Sequence, residues 1–305
     1  MKRQLDLFPK PEIDATLPTA TSLSGGKSSA YMALHYPTDV YLFAPVLTND
    51  PACIIQDRSL RQYCQAKVPS FNWDDGGCRE LDQTLFNLRK LEQELGQEIA
   101  WVAAPFTYDQ LIAGDIETAI ARAFGRSSTK SAMLPNSRLR FCTESLKVYP
   151  IAWWLYLNGN DAPWVVHIGF RADEPRRVQT WKCDRTDMTL HCDIEGRRKW
   201  QHRHTLLDYR LATFPMFQDG IDHLDVIKFW KDKGWEFPAV SNCDFCFFHR
   251  KPEMLEQHEQ HGDRAKWWME MEETAGATFG DDPLAEIIYG KAKGETELLS
   301  CLCTD

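Results

Sequence analysis

Two long apolar runs constrain the fold of this chain more than any other feature. Residues 40–47 (VYLFAPVL) and residues 164–170 (WVVHIGF) are apolar at almost every position. A strand that is apolar on both faces is typical of a parallel sheet that helices cover on both sides. Apolar spacing elsewhere predicts strands and helices in alternation, with strands at residues 19–23 and 101–104 and helices at residues 57–67, 80–95 and 108–124. A further helix is expected at residues 261–274. This order predicts an α/β fold with crossover units on a parallel sheet.

The sequence pattern changes near residue 172, where a charged segment replaces the regular alternation of predicted strands and helices. We therefore predict three parts: an N-terminal arm at residues 1–14, a layered domain at residues 15–172, and a C-terminal subdomain at residues 173–305. The arm holds two prolines and several charges, so we expect it to be loosely attached. The C-terminal subdomain contains a tight cysteine knuckle.

Charge and cysteine content exclude some classes of protein. The 305 residues carry a net charge of −9, which argues against uniform coating of nucleic acid but leaves a local basic cleft open. No apolar run approaches the roughly 18 residues of a membrane span, and the N-terminus lacks the apolar stretch of a secretory signal. We expect a cytoplasmic location, where ten cysteines are buried, catalytic or metal-bound rather than disulfide-bonded. Cys53, Cys64 and Cys78 are expected in or near the core.

A glycine loop follows the first predicted strand and precedes a helix. Its residues are Ser24, Gly25, Gly26, Lys27, Ser28 and Ser29. Glycines let the backbone approach a phosphate, the helix N-terminus offers free N–H groups, and the lysine adds a cation. The loop is not a Walker motif, because Thr21 stands where that motif requires glycine. The alternative is a plain strand-to-helix turn with a serine N-cap.

The loop and three later segments carry a family resemblance. The loop resembles the pyrophosphate loop of the adenine nucleotide alpha hydrolase superfamily, and its closest branch is the phosphoadenosine phosphosulfate reductase-like family. The supporting segments are RFCTESLK at residues 140–147, IGFRADEPRR at residues 168–177 and NCDFCFF at residues 242–248. The resemblance implies a parallel sheet of five strands with ATP or an adenylyl sulfate across its carboxyl edge. Most relatives cleave ATP between the α and β phosphates, leaving an adenylylated substrate and pyrophosphate.

The resemblance also assigns roles to residues. The glycine loop would hold the phosphates, with Mg²⁺ shielding them, and Asp50 is a weaker candidate for a nucleotide contact. Lys27, Arg171 and Arg176 would be catalytic, because guanidinium and ammonium groups can neutralise charge as pyrophosphate leaves. Arg177 directly follows Arg176 and is a further candidate for the same role. The alternatives are a turn residue at position 50 and solvated surface arginines.

Cysteines provide a candidate metal site. Cys243 and Cys246 have the two-residue gap that lets two thiolates face one ion or cluster, although a redox pair has the same spacing. The resemblance adds Cys142 as a third ligand. Three cysteines can hold a 4Fe-4S cluster with one iron open, as in related tRNA thiolation enzymes, whereas structural zinc wants four ligands. Fourth-ligand candidates are Cys183, Cys192 and His249, and free thiols remain the other alternative.

Three functions compete. The first is an ATP-cleaving enzyme of sulfur chemistry that activates a tRNA, DNA or metabolite acceptor for thiolation or reduction, with a sulfur or electron donor protein as partner. The second is an adenylyl sulfate reductase with Cys301 or Cys303 as nucleophile, although the Glu-Cys-Gly-x-His motif of such reductases is missing. The third is a non-catalytic nucleotide-binding protein with structural zinc.

Two basic stretches bear on the acceptor. Arg138, Arg140 and Lys147 flank Cys142 and could bring an anionic substrate to the cluster. Residues 197–204 (RRKWQHRH) interleave cations with tryptophan, a pattern that suits a nucleic-acid backbone and a stacked base but also a solvated loop.

Overall fold

The computed structural model describes residues 16–113, 134–159, 163–183, 188–192, 198–202, 210–240 and 243–290, and side chains within residues 180–202 are outside the description. The predicted arm, the end of the predicted helix at residues 108–124, and Cys301 and Cys303 lie outside the described residues. So do residues 197, 203 and 204 of the basic stretch, and the side chains of Cys183 and Cys192.

A five-stranded parallel sheet with helices on both faces forms the centre of the structure, as predicted. The strands in chain order are β1 (Thr19–Leu23), β2 (Val40–Phe43), β3 (Leu47–Thr48), β4 (Gly77–Cys78), β5 (Ile99–Trp101), β6 (Trp164–His167), β7 (Met188–Cys192), β8 (Arg198–His202) and β9 (Arg210–Thr213). The central sheet has the order β5-β2-β1-β6-β9, while β3 with β4 and β7 with β8 form two small antiparallel ladders.

Helices connect the strands and cover the sheet. They are α1 (Lys27–His35), α2 (Arg58–Lys67), α3 (Asp82–Leu95), α4 (Tyr108–Ala113), α5 (Phe141–Thr143), α6 (Tyr149–Asn158), α7 (Pro175–Cys183), α8 (Pro215–Gln218), α9 (His223–Lys233), α10 (Lys251–Ala275) and α11 (Leu284–Tyr289). A π-helical segment (Glu144–Val148) joins α5 to α6.

Alternating side chains of the strands fill two cores. On one face, Leu23, Tyr41 and Phe43 pack with apolar residues of α1, α2, α3 and α9. On the other face, Ala20 and Leu42 pack with α6. Because successive side chains of a strand point to opposite faces, strands apolar at every position can be buried on both.

A third core lies under the cysteine knuckle. It joins Phe245 of the knuckle to Tyr108 of α4, to Trp267 and Trp268 of α10, and to Val46 after β2. Strand β9, which the sequence did not predict, pairs with β6, so the sheet takes its fifth strand from beyond residue 172. The proposed division at that residue stays a prediction.

Several predicted boundaries were wrong. The strand predicted at residues 101–104 spans Ile99–Trp101, and the run at residues 164–170 leaves the sheet after His167. The apolar run at residues 40–47 is not one strand: β2 ends at Phe43, and Leu47 pairs with Cys78 in a separate ladder. Pro45 cannot donate to a ladder, and the amide and carbonyl of Val46 bind Glu80 and Arg79 instead. The helix predicted at residues 261–274 begins at Lys251 and bends at His261.

Candidate nucleotide and thiol sites

The glycine loop lies at the point where the connections of the sheet change direction. The chain moves outward from β1 through β2 to β5, then returns to the other side of β1 with β6 and β9. Ligands of open α/β sheets bind at the carboxyl edge next to such a switch point. Residues 24–26 directly follow β1, and the segment that contains Arg171 follows its neighbour β6.

Serine side chains hold the loop in shape. Ser29 is buried, and its Oγ accepts from the Ser24 amide at 3.1 Å and donates to the Gly26 carbonyl at 3.1 Å. Gly25 has a φ of +78°, and a Cβ there would collide with Cγ2 of Thr84. Ser29 therefore stabilises the conformation of the loop from inside the protein, whereas the side chain of Ser24 is exposed to solvent.

Lys27 and Ser28 begin α1 and present their side chains at its N-terminus. Lys27 is half-buried, and its ammonium makes no hydrogen bond or ion pair with any residue in the described ranges. Gly26 is the N-cap and has no side chain to satisfy the first amides of the helix. A helix N-terminus with a cation and a hydroxyl beside it is suited to an anion.

Arg171 reaches the glycine loop from the segment after β6. Its Nη1 donates to Oγ of Ser28 at 3.0 Å, and its Nε pairs with Asp173 at 3.1 Å. The carboxylate of Glu174 accepts from the Arg171 amide at 3.1 Å and fixes the turn. The structure thus brings Arg171 to the loop, whereas Arg176 is exposed on the first turn of α7 and Arg177 pairs with Glu174.

Asp50 has two structural partners. One oxygen accepts from the Ala52 amide at 3.0 Å and caps a short 3₁₀ helix (Pro51–Cys53), and the other pairs with the buried Arg79 at 3.0 Å. These contacts favour the turn role for Asp50. Its predicted contact with a nucleotide stays a prediction.

The knuckle is a strained turn that holds two of the candidate ligands. The amide of Cys246 donates to the carbonyl of Cys243 at 3.3 Å. Between them Phe245 has a φ of +45°, which is unusual for a residue with a Cβ. Its amide donates to Oε1 of Gln257 at 2.7 Å and its ring is buried, so packing under the knuckle maintains the strained backbone.

The three predicted ligands share one electrostatic neighbourhood. Burial raises the pKa of Cys243 well above its ordinary value and that of Cys246 to about 11, and Lys147 opposes both shifts. Burial likewise raises the pKa of Cys142, against hydrogen bonds from Thr143 and from the hydroxyl of Tyr108. The sulfurs of all three act on the buried Tyr108, which burial keeps protonated by raising its pKa.

An ion pair next to these thiols connects them to the carboxyl edge of the sheet. Nζ of Lys147 lies 2.8 Å from Oε1 of the fully buried Glu80, whose other oxygen accepts from the Val46 amide at 3.0 Å. Burial opposes ionisation of Glu80, but Lys147 and hydrogen bonds from Cys78 and Val46 hold its pKa below the ordinary value. Val46 lies just beyond β2, the strand adjacent to β1. The ion pair therefore joins the thiol site (Cys142, Cys243 and Cys246) to the edge of the sheet that also holds the glycine loop.

Sequence reasoning missed the buried charges behind the knuckle. Asp244 is fully buried between the two cysteines of the motif, and its carboxylate pairs with Arg79 at 3.5 Å and Arg264 at 3.4 Å. Nε1 of Trp268 donates to the same carboxylate at 2.9 Å, and the Arg79 guanidinium lies 3.8 Å from the ring centroid of Trp267. An aspartate inside a C-x-x-C motif was the only signal in the sequence.

The donor set has the chemistry of a thiolate site. Within the described ranges, however, no group of three or more His, Cys, Asp or Glu side chains is arranged to hold a metal ion. His249 is buried three residues after Cys246, and neither ring nitrogen has a hydrogen-bond partner there. Burial lowers its pKa, against the carboxylates of Glu253 and Asp244.

Cys53, Cys64 and Cys78 are buried, as predicted, and burial raises the pKa of all three thiols. Every helix in the described ranges is too short or too polar to span a bilayer. Comparison with known proteins gives no match of this chain to a protein-family model, a curated protein or a solved structure.

Proposed function

We propose that this chain cleaves ATP between its α and β phosphates and uses the adenylylated acceptor in sulfur chemistry, as its resemblance to the phosphoadenosine phosphosulfate reductase-like family implies. One observation carries the proposal: the glycine loop and Arg171 meet at the switch point of a parallel sheet, joined by the hydrogen bond from Arg171 to Ser28. That position is where open α/β sheets bind nucleotides.

The residues at the switch point are suited to phosphate chemistry. The amides at the start of α1 and Lys27 would bind the β and γ phosphates. Arg171 would give up its hydrogen bond to Ser28 and donate to a phosphate oxygen instead. Mg²⁺ would accompany the triphosphate and neutralise part of its charge. An acceptor oxygen attacks the α-phosphorus and releases its proton to water, and the bond to the bridging oxygen breaks. Pyrophosphate leaves with that oxygen, and Lys27 and Arg171 stabilise the developing negative charge.

The thiol site supports the sulfur step of the proposal. Cys142, Cys243 and Cys246 would hold a 4Fe-4S cluster, whose chemistry would be to offer one iron to a sulfur atom or substrate. Lys147 would neutralise thiolate charge, and Tyr108 would donate to Cys142. Zinc is the less suitable occupant, because a structural zinc site requires four ligands and these cysteines supply three. His249 and the cysteines at positions 183 and 192 remain the fourth-ligand candidates.

The alternatives receive less support. A reductase would need Cys301 or Cys303, which lie outside the described residues. A non-catalytic nucleotide-binding protein with structural zinc would need a fourth ligand beside the three cysteines. It would bind ATP with the same cations but would release no pyrophosphate.

Titration of ATP into the purified protein tests the proposal. Lys27→Ala should weaken ATP binding by about tenfold or more without unfolding, because one charged contact contributes about 1.5–3 kcal/mol. Lys228→Ala, at an exposed lysine of α9, is the matched control and should bind as the parent does. Equal affinity in the Lys27 and Lys228 variants would reject the loop assignment, and failure to release pyrophosphate from ATP with any acceptor would reject the enzymatic role.

A further inference from the structure

We propose that Arg140 and Phe248 form a stacking clamp for one unpaired base of a single-stranded nucleic acid at the mouth of the thiol site. The inference rests on the proposed function, because it names the class of acceptor that the thiol site would modify.

The two side chains already stack on each other. The guanidinium carbon of Arg140 lies 4.5 Å from the ring centroid of Phe248. Phe248 is 44% exposed, and the ring of Phe247 packs against it with centroids 4.7 Å apart. A large aromatic ring that is fixed yet half open to solvent offers a flat surface to another planar group.

The clamp connects the two segments that supply the thiols. Arg140 is the N-cap residue of α5, which contains Cys142, and its charge acts on Cys246. The Phe248 amide donates a hydrogen bond to the Cys246 sulfur. At 4.5 Å the guanidinium leaves no room for a base, so the exposed Arg140 side chain would swing off the ring of Phe248 and close over the entering base. That base would then lie beside the atoms that the proposed sulfur step uses.

The surroundings select the occupant. Arg138 and Arg140 are exposed, and neither forms an ion pair with a carboxylate among the described residues. Leu139 between them is 56% exposed. Guanidinium groups without an acidic partner can bind phosphates, and the aromatic ring can stack on a base. A single strand exposes both phosphates and base faces, whereas a duplex buries the faces of its bases between neighbouring base pairs. An acidic peptide would satisfy the cations but not the flat aromatic face.

The net charge of −9 adds a constraint. A net negative charge weakens long-range attraction to a polyanion, so base stacking should contribute much of the affinity. If Arg138 and Arg140 each contact one phosphate, a plot of the logarithm of the binding constant against the logarithm of salt concentration should have a slope of about −1.4.

Fluorescence anisotropy in the absence of ATP tests the clamp. The probes are fluorescein-labelled oligothymidylate and oligouridylate of about 12 nucleotides, within the site size of known single-strand binders. Phe248→Leu keeps an apolar side chain without the aromatic face and should weaken binding by about tenfold or more. Phe248→Trp should retain binding. The matched control is Phe86→Leu, because Phe86 is a 37% exposed phenylalanine on α3.

The arginines give a second, independent readout. Arg140→Lys keeps the charge but loses the planar group, so it should weaken binding while the salt slope stays near that of the parent. Arg138→Ala should instead reduce the slope by about 0.7. Arg58→Lys, at an exposed arginine that begins α2, is the control.

Several results would overturn the clamp: parent protein that binds neither probe, equal losses in the Phe86 and Phe248 variants, or a duplex bound as tightly as a single strand. The preference between the two probes identifies DNA or RNA as the source. Loss of the clamp with intact ATP binding would leave the proposed function standing. Intact probe binding in a protein that does not bind ATP would instead reject the proposed function.

Discussion

Nη1 of Arg171 donates a hydrogen bond to Oγ of Ser28 at 3.0 Å, across the switch point of the sheet. The two residues are far apart in sequence and follow neighbouring strands, β6 and β1. Asp173 and Glu174 fix the arginine from its other side. The contact places the Arg171 guanidinium at the glycine loop, beside the first turn of α1.

Arg171→Ala should therefore reduce ATP affinity by about ten- to hundredfold, since a hydrogen bond to a charged group contributes about 1.5–3 kcal/mol. Isothermal titration calorimetry measures the effect. Arg177→Ala, in the same segment but paired with Glu174 and 60% exposed, is the control and should change affinity little. Similar losses in both variants would mean that the segment, rather than the Arg171 contact, matters.

Gly25→Ala should lower the free energy of unfolding by about 1–3 kcal/mol. Two costs combine: a φ of +78° strains any residue with a Cβ, and the new methyl group meets Cγ2 of Thr84. Urea denaturation measures the loss. The double variant Gly25→Ala/Thr84→Ser removes the obstructing methyl group. It should recover the part of the lost stability that comes from the steric collision, while the cost of the backbone strain remains. No recovery would contradict the steric explanation.

Lys147→Met should destabilise the fold by about 3 kcal/mol, because it leaves the buried Glu80 carboxylate without its cation. The double variant Glu80→Gln/Lys147→Met has no buried charge at this position and should be more stable than Lys147→Met alone. Chemical denaturation of the two variants and the parent tests this order of stability. If the double variant were the least stable of the three, the pair would not act through charge burial.

His249→Leu should flatten the pH dependence of stability in mild acid. Burial holds the pKa of folded His249 below its ordinary value of 6.5, so the unfolded chain binds more protons between the folded pKa and pH 6.5. The stability from neutral His249 is complete above that window and is lost as the pH falls through the folded pKa. Unfolding free energies at about pH 7.5 and about pH 5.5 measure the change.

The control for His249→Leu is Met254→Leu, a change of similar volume at a buried position, which should keep the pH dependence of the parent. His167 and His261 also have lowered pKa values, because burial disfavours their charged forms, so a residual slope is expected. A parent-like slope in His249→Leu would show that these other histidines account for the acid sensitivity.

Local pattern determined much of the fold. The strand predicted at residues 19–23 coincides with β1, and the helix predicted at residues 80–95 differs from α3 by two residues at its start. Predictions from local sequence pattern failed where contacts with residues distant in sequence determined the backbone conformation. Val46 leaves the apolar run because Glu80 and Arg79 bind its amide and carbonyl, and β9 forms because β6 offers a free edge.

The sequence by itself determined the parallel sheet, the glycine loop at the end of its first strand, and the types of side chain available for phosphate and thiol chemistry. Only the tertiary structure decided which of these residues meet. Three contacts join residues that are distant in sequence: Arg171 with Ser28, Cys142 with the knuckle, and Asp244 with Arg79 and Arg264. Periodicity reports burial within one element, whereas such pairs depend on how separate elements pack and on the need of buried charges for partners.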